Sequence, residues 1–429
     1  MIPLIIVVLA GLAIRVDYAA NRVEGQPEDS QKYYDISEEL YRSGDYGPPE
    51  LDRRDTYHPG SPLFYAGLYH ATGGVHPLLG RLLVALMGAA AILLVYLLAR
   101  RLGGPWIGLA GAALIAIHPS AIEYTRTVMG EPIALFTLTA AVLAFLWADE
   151  RRGRWEWALP GALLGITCLF RPEYLVFGLV LALIAALRTR RAASWGASAA
   201  AAAVLLVAFA LPIAPWTIRN YVVLDRFVPV STGGGSAVFI GTYLPGSGDH
   251  FETFNEHRQD LVNEIPGLTP AERRELSSGV VLGDILDELA ARRHPDLNTD
   301  AALTRLGRRN FSDYFGDDPL AYTGMLFEKT WHMWNRGGGM FAPQRPWWVG
   351  YHRALVILAL IGLGALAWWR RWELFVYGSL LLGVTALAAL LLAPPRRNVP
   401  LLGLVAVMAA YGGASILRAL TARRARVIQ

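Results

Sequence analysis

The chain has 429 residues, of which 54% are hydrophobic and 17% are charged. Because soluble domains average roughly 25% charged residues, this composition excludes an ordinary soluble protein and predicts several membrane spans. The net charge of +4 is small and gives no indication of a nucleic-acid partner.

A helix needs about 20 apolar residues to cross a bilayer, or fewer where part of it lies in protein, and candidate stretches follow one another along the chain. They cover residues 1–20, 78–98, 106–117, 132–147, 159–187, 194–215, 354–368, 374–392 and 399–416. We expect residues 159–187 to form two short spans, because Pro172 breaks a helix and the charges of Arg171 and Glu173 would be costly at mid-membrane. The sequence therefore predicts an all-α membrane protein with about ten transmembrane helices.

Arginine clusters indicate which side each connection faces. They lie at residues 100–101, 151–154, 188–191 and 370–371 and in the tail from residue 418. The positive-inside rule makes these clusters cytoplasmic and the intervening connections extracytoplasmic. We expect a multi-pass protein of the cell (plasma or inner) membrane with three regions. These are a membrane module (1–215) with outer loops at 21–77 and 118–131, an extracytoplasmic segment (216–350), and C-terminal membrane helices with a basic tail (351–429).

The extracytoplasmic segment is predicted to be small and mixed in structure. Thr269-Pro270-Ala271-Glu272 is a capping box with proline at the first helical position, and it opens a helix that runs toward Arg293. Residues 300–314 and 319–334 also have helical patterns, whereas residues 227–231 are strand-like. The segment is too small and charged for a large core of its own.

Two adjacent carboxylates, Glu28 and Asp29, follow the first span. The spacing of Tyr33, Ile36 and Leu40 predicts a helix that begins beside them. A general base is a carboxylate that is ionised near neutral pH and within hydrogen-bond reach of a substrate hydroxyl, and Asp29 is the candidate for that role. The alternative is that Asp29 or Ser30 serves only as the N-cap of an interfacial helix.

Arg396 and Arg397 lie in an outer connection, where the positive-inside rule does not expect them. Such a pair suits a phosphate, because guanidinium groups match phosphate oxygens bidentately. The alternative is that both side chains reach toward lipid head groups. Arg171 and Arg219 also lie toward the outer side and could join an anionic site, although Arg171 could equally be a structural partner of Glu173.

Further polar residues lie in the outer loops. Glu123 and Glu131 flank the short connection at 118–131, where a carboxylate also complements a helix N-terminus. His58 is a candidate metal ligand, although a histidine with no ligand spacing around it is more often solvated. The run Gly233-Gly234-Gly235 permits close approach of a ligand to the backbone.

The sequence lacks a P-loop, a nucleotide fingerprint, zinc-ligand spacing and a nucleophile-elbow serine. The chemistry must therefore rest on outer carboxylates, with arginines for an anionic ligand.

Taken together, these stretches resemble the bacterial dolichyl-phosphate-mannose-protein-mannosyltransferase-like family. Its members are integral membrane glycosyltransferases of the GT-C fold, related to the lipid A aminoarabinose transferases. The order and spacing of several short motifs carry the resemblance. They are Glu28-Asp29-Ser30-Gln31-Lys32-Tyr33, Tyr57-His58-Pro59-Gly60-Ser61-Pro62-Leu63-Phe64, Gly80-Arg81-Leu82-Leu83, Tyr124-Thr125-Arg126 with Glu131-Pro132, Phe170-Arg171-Pro172-Glu173, Pro215-Trp216-Thr217-Ile218-Arg219-Asn220-Tyr221, Val230-Ser231-Thr232-Gly233-Gly234 and Arg396-Arg397-Asn398-Val399-Pro400.

The resemblance implies transfer of a sugar from a polyprenyl-phosphate donor to an acceptor hydroxyl of a glycan, lipid or protein on the outer face. It implies an inverting displacement with Asp29 as general base, and Arg396 or Arg397, together with Arg219, on the departing phosphate. It also implies that Glu131 orients the acceptor or holds a divalent cation (Mg2+ or Mn2+), with Glu28 and His58 as lesser candidates for that role. Arg171 would contact the phosphate. The remaining substrate contacts would come from Tyr33, Tyr57, His58, Glu123 and Asn220.

A lipid or solute transporter (flippase) is the alternative function, in which the outer charges would line a translocation path. Transporters usually carry charges at mid-membrane and show inverted repeats, and neither feature is evident in the sequence. A non-catalytic membrane scaffold is a third class, which the outward arginines and paired acids disfavour.

Overall fold

A computed structural model describes residues 2–22, 28–47, 54–151, 153–278, 282–337 and 345–428. The chain divides into two compact units. The first unit contains Met1–Val230, Arg336–Val384 and Asn398–Gln429, and the second contains Ser231–Asn335 and Thr385–Arg397.

The first unit begins with ten helices, which make up most of its chain. They are α1 (Ile2–Asn21), α2 (Glu28–Arg42), α3 (Gly60–Thr72), α4 (Pro77–Gly103), α5 (Pro105–Ala116), α6 (Pro119–Glu123), α7 (Glu131–Arg151), α8 (Ala158–Phe170), α9 (Leu175–Ala192) and α10 (Trp195–Leu224). The second unit follows with α11 (Gly234–Thr242), α12 (His250–Glu256), α13 (Arg258–Glu264), α14 (Pro270–Ser278), α15 (Leu282–Arg293), α16 (Thr299–Asp317) and α17 (Pro319–Asn335). The chain ends with α18 (Pro346–Trp368), α19 (Glu373–Leu390) and α20 (Leu402–Ile428).

Among the described residues, eight helices are long and apolar enough to cross a membrane. The helix α5 and the helical stretch at 119–126 are bent by 60° at the break between them, and they give a ninth span if they are counted together. Residues 155–170 form a shorter apolar helical stretch. The prediction of an all-α, multi-pass membrane protein is confirmed, and the predicted count of about ten is close to the observed one.

The predicted break between two short helices at Pro172 is present. The helix α8 ends at Phe170, a 3-10 turn covers Pro172–Tyr174, and α9 begins at Leu175. Proline lacks the N–H that a continuous helix would need at this point. By contrast, α10 continues through Pro212 and Pro215 to Leu224, beyond the end predicted for that span.

Arg15 stabilises the bend between α5 and α6 from another helix. Its buried guanidinium donates hydrogen bonds to the carbonyls of Ala116 at 2.9 Å and Ile115 at 3.0 Å. These carbonyls belong to the last turn of α5, where backbone acceptors have no partner within the helix. Gly88 provides the space, because a Cβ there would lie 2.8 Å from Arg15 Cδ.

The second unit corrects three expectations. Its described residues form helices joined by turns, with no strand, so the prediction of a mixed segment is wrong, and the backbone at 227–231, where the first unit passes into the second, is not a strand either. The predicted capping box is present, because Thr269 N–H donates to Glu272 Oε2 at 2.7 Å. The unit also has a core of its own, formed by Phe239, Ile240, Tyr243, Leu261, Val262, Ile265, Leu282, Ile285, Leu286, Leu289, Ala290, Ala302 and Leu303. Each helix contributes only a few apolar side chains, and these are enough to form a core because the apolar faces of several helices pack against one another.

The glycine run of the second unit packs on Asp300. The backbone N–H groups of Gly233 and Gly235 donate to Asp300 Oδ1 at 2.9 and 3.1 Å. A Cβ on Gly235 would lie 2.3 Å from the carbonyl oxygen of Asp300. The close approach that the sequence predicted for a ligand is therefore made by the start of α16.

Candidate functional site

Asp29 is the second residue of α2, inside its first turn, and its side chain is partly exposed. The positive end of a helix dipole lies here and favours an ionised carboxylate. The neighbouring Ser30 is buried, and its hydroxyl accepts a hydrogen bond from Val128 N–H at 3.0 Å. This contact ties the start of α2 to the loop 118–131, three residues before Glu131.

Aromatic side chains from the rest of the first loop surround the start of α2. The rings of Tyr33 and Tyr57 pack edge to face with centroids 5.3 Å apart, and the Tyr33 hydroxyl accepts from His58 N–H at 3.3 Å. Burial raises the pKa of the Tyr57 phenol, Lys32 lowers it and Asp29 raises it. The structure thus brings together Asp29, Tyr33, Tyr57 and His58, which we call the α2 cluster.

Glu28 is exposed and forms an ion pair with Lys32, one turn along α2, at 2.5 Å. Exposed pairs of this kind contribute about 0.3–0.5 kcal/mol. In the structure, Glu28 therefore contributes a weak ion pair on the exposed surface of α2.

A second link joins the first loop to the end of α10. Arg219 donates to Asp55 Oδ1 at 2.7 Å, and its guanidinium lies over the rings of Trp216 and Tyr46, 4.9 and 5.2 Å from their centroids. The Tyr46 hydroxyl donates in turn to the carbonyl of Tyr57 at 2.9 Å. Contacts thus run without a gap from Arg219 to the α2 cluster.

Asn220, the residue after Arg219, holds the backbone of residues 228–230. It is buried, and its side-chain amide donates to the carbonyls of Val228 at 3.0 Å and Val230 at 2.9 Å. Trp216 Nε1 donates to the same carbonyl of Val230 at 2.7 Å. These bonds fold the chain after α10 back onto the helix and fix the position of Arg219.

Glu131 and Arg171 form a buried pair. Arg171 Nη2 lies 2.8 Å from Glu131 Oε1, and its Nε lies 3.9 Å from Glu173 Oε1. Glu131 opens α7, while Arg171 occupies the break between α8 and α9, so the pair joins two loops. Glu123 forms a separate buried pair with Arg126 at 3.5 Å.

Arg396 and Arg397 belong to the second unit, at the start of a 3-10 helix that covers Pro395–Leu401, and both side chains are partly buried. The charge of Arg397 acts on Lys329 of α17.

The predicted metal ligands do not assemble a site in the part of the chain that the structure describes. No group of three or more His, Cys, Asp or Glu side chains there could hold a metal ion. Glu131 accepts from Arg171, and divalent cations such as Mg2+ need several oxygen ligands. These residues therefore do not fit a bound Mg2+ or Mn2+.

Sequence reasoning missed Tyr46, Asp55 and Lys329. The contacts of Tyr46 and Asp55 with Trp216 and Arg219 join residues that are more than 160 positions apart, so no local pattern marks them. Lys329 does carry a signal, because it is one of two lysines in a chain whose other basic residues, among 39 lysines and arginines, are arginines.

Residues 58–217 match the family described as dolichyl-phosphate-mannose-protein mannosyltransferase. The matched stretch contains His58, Glu123, Glu131 and Arg171 and ends two residues before Arg219. The predicted resemblance to this family is confirmed for that part of the chain. No curated protein sequence matches the chain significantly.

Solved structures share the fold of nearly the whole chain. One is the oligosaccharyltransferase AglB from Archaeoglobus fulgidus in complex with an inhibitory peptide and a dolichol-phosphate, with 17% identity, a TM-score of 0.56 and coverage of 98% of this chain and 51% of that one. Another, from the same organism in complex with Zn and sulfate, has 16% identity, a TM-score of 0.55 and coverage of 99% and 50%.

A third, ArnT from Cupriavidus metallidurans bound to undecaprenyl phosphate, has 16% identity, coverage of 95% and 77%, and a TM-score of 0.38. The chain spans about half the length of the oligosaccharyltransferases. Their likeness establishes the GT-C glycosyltransferase fold.

Proposed function

We propose that this protein is a glycosyltransferase that moves a sugar from a polyprenyl-phosphate donor to an acceptor hydroxyl on the extracytoplasmic face of the cell membrane. The GT-C fold, the family match over residues 58–217 and the dolichol-phosphate bound to one structural neighbour support the donor class. The observation that carries the proposal is the position of Asp29. It is a partly exposed carboxylate at a helix N-terminus, and its charge acts on the phenol of Tyr57, which packs against Tyr33.

In the proposed reaction, Asp29 removes the proton of the acceptor hydroxyl as its oxygen attacks the anomeric carbon of the donor sugar. The new bond joins acceptor oxygen and sugar carbon, while the bond from that carbon to the phosphate oxygen breaks. The configuration of the sugar inverts, and the polyprenyl phosphate leaves with both bonding electrons. We assign Tyr57, whose phenol lies within the electrostatic influence of Lys32 and Asp29, to contact with a hydroxyl of the acceptor.

The leaving phosphate gains negative charge, which nearby guanidinium groups stabilise. We assign Arg396 and Arg397 to this role, together with Arg219. Glu131 orients the acceptor, and Arg171 holds Glu131 in place through their 2.8 Å contact. His58 is a further substrate contact of the proposal, whereas Glu123 and Asn220, which are buried against Arg126 and the Val228 and Val230 carbonyls, support the site from behind.

The first test is sugar transfer by the purified protein from a panel of radiolabelled polyprenyl-phosphate sugars to membrane extract. We expect Asp29→Asn to lower transfer by at least about 100-fold, because the amide cannot accept the proton. Asp35→Asn is the matched control, since Asp35 lies on the same helix, where its carboxylate accepts from Gln31. Full transfer by Asp29→Asn, with the control unchanged, would remove Asp29 as the base.

The second test concerns the donor phosphate. We expect the variant with Arg396→Ala and Arg397→Ala to bind polyprenyl phosphate at least about tenfold more weakly, because charge-assisted contacts are worth about 1.5–3 kcal/mol each. Unchanged binding would exclude the phosphate role. Movement of the labelled lipid across the bilayer without any transfer would instead support the transporter alternative.

A further inference from the structure

Lys329 is a buried lysine in the middle of α17. Only 4% of the residue is exposed. Its ammonium nitrogen donates to the carbonyl of Gly241 at 2.5 Å and to the carbonyl of Leu391 at 2.8 Å. The first carbonyl belongs to α11, and the second lies in the segment Thr385–Arg397 of the same unit.

Two glycines allow this arrangement. A Cβ on Gly241 would lie 2.3 Å from the backbone of Leu391, so the two backbones touch. Gly248, which has a φ of +63°, lies beside the lysine, and a Cβ there would lie 3.1 Å from Lys329 Cδ. The site is therefore shaped for a long, thin side chain that reaches two carbonyls.

The segment that Lys329 holds leads directly to Arg396 and Arg397. A second bond from α17 supports its beginning, because Trp334 Nε1 donates to Thr385 Oγ1 at 3.0 Å. Together, Lys329 and Trp334 fix both ends of residues 385–391 to one helix. Movement of this segment is thus coupled to α17.

The side chain of Lys329 titrates near neutral pH. Burial lowers the pKa of its ammonium group to about 7, and the positive charge of Arg397 lowers it as well. Among the described residues, Arg397 is the charged group that acts on Lys329 from another element, while Glu328 and His332 pair with each other on α17 itself. An arginine at this position would stay charged, whereas a lysine can lose its proton.

We propose that Lys329 is a positioning residue for the donor phosphate, which fixes the segment carrying Arg396 and Arg397 and takes up one proton when a phosphate binds beside Arg397. This inference rests on the phosphate role proposed above for the two arginines. Before binding, the neutral amine, which about half of the molecules carry at pH 7, avoids a third positive charge next to them. After binding, the anion favours the ammonium form, and the proton comes from solvent.

The experiment measures binding of undecaprenyl phosphate to the full-length protein in detergent between pH 6.5 and 8.5. Calorimetry in buffers of different ionisation enthalpy gives the protons taken up. The comparison protein is Lys329→Arg, because titration of the probe itself then cancels. Relative to that variant, we expect the wild-type affinity to fall about tenfold over this range, because the ammonium form that binding favours is lost as the pH rises above the lowered pKa of about 7.

Lys329→Met and Arg309→Met complete the set. Lys329→Met should weaken binding at every pH, while Arg309→Met removes an exposed arginine of the same unit that pairs with Asp313 and should bind as the wild type does. Lys329→Met is also a second reference for proton uptake, because it too cannot titrate, so the result does not depend on the folding of Lys329→Arg alone.

Each outcome has a distinct meaning. Equal pH dependence in wild type and Lys329→Arg, with no proton uptake, would overturn the inference if Arg396→Ala with Arg397→Ala still weakens binding. If that arginine variant binds normally, the proposed phosphate role fails instead.

Discussion

Arg171 donates to the Glu131 carboxylate at 2.8 Å, and less than a tenth of either side chain is exposed. A buried ion pair is only weakly stabilising as a whole, but removal of one partner leaves an uncompensated charge. The contact connects the N-terminus of α7 to the break between α8 and α9. It therefore maintains the geometry of two loops that lie far apart in sequence.

We predict that Glu131→Gln and Arg171→Met each lower the free energy of unfolding by about 3–5 kcal/mol, and that the double variant loses less than the sum. Denaturant unfolding of the detergent-solubilised protein measures the three values. Asp313→Asn, which breaks the exposed pair with Arg309, is the control and should change stability by about 0–1 kcal/mol. Additive losses in the double variant would contradict the proposed coupling.

The contact of Arg219 with Asp55 depends on the planar guanidinium. We predict that Arg219→Lys retains the charge but loses the stacking on Tyr46 and Trp216. A loss of about 1 kcal/mol locally corresponds to roughly fivefold faster amide exchange in residues 54–58. Hydrogen exchange with mass spectrometry provides the measurement.

Arg309→Lys is the matched control for that experiment, because Arg309 is an exposed arginine that pairs with Asp313 in the second unit. It should leave exchange in residues 54–58 unchanged. If Arg219→Lys also has no effect there, the link between α10 and the first loop is unimportant in solution.

Substitution of two neighbouring glycines, Gly234 and Gly235, by alanine should affect the stability of the protein differently. Gly235→Ala places a Cβ 2.3 Å from the Asp300 carbonyl oxygen, so the backbone must shift, whereas a Cβ on Gly234 has no neighbour within 4 Å. We expect Gly235→Ala to destabilise the protein by about 1–3 kcal/mol. We expect Gly234→Ala to be neutral or to stabilise it by up to about 1 kcal/mol, because alanine favours the helix. Thermal unfolding distinguishes them, and equal midpoints would contradict the packing described for Asp300.

Stability should also depend on pH through Lys329. The pKa of its ammonium group is lowered to about 7 in the folded protein from 10.5. Between these values the unfolded chain binds more protons, so stability rises with pH. We predict that from pH 7 to 9 the wild type gains stability relative to Lys329→Met, at most about 1.4 kcal/mol per pH unit. Urea unfolding at several pH values tests this, and a constant difference between the two proteins would contradict it.

The features that the sequence predicted correctly are local ones. Pro172 interrupts a helix because of its own covalent structure, and Thr269 caps one because Glu272 lies three residues away. The identification of membrane spans likewise follows from runs of apolar residues. Each of these signals lies within a single turn or a single helix.

The contacts that could not be predicted join distant parts of the chain. Arg219 meets Asp55 across 164 positions, and Lys329 meets Leu391 across 62. Only the packing of intervening helices brings such residues together. The same reason explains the error for the second unit, whose core is assembled from short helices that are each too polar to indicate it.

Arg15 has a consequence for biogenesis. Its carbonyl partners, Ile115 and Ala116, are made about 100 residues later in the chain. During synthesis α1 thus carries a cation into the lipid before these acceptors exist, and an intramembrane charge without them is expensive. The first helix should therefore remain close to the insertion machinery, or near the aqueous boundary, until α5 emerges. A chain truncated before α5 would then integrate its first segment poorly, although that segment is apolar enough by composition.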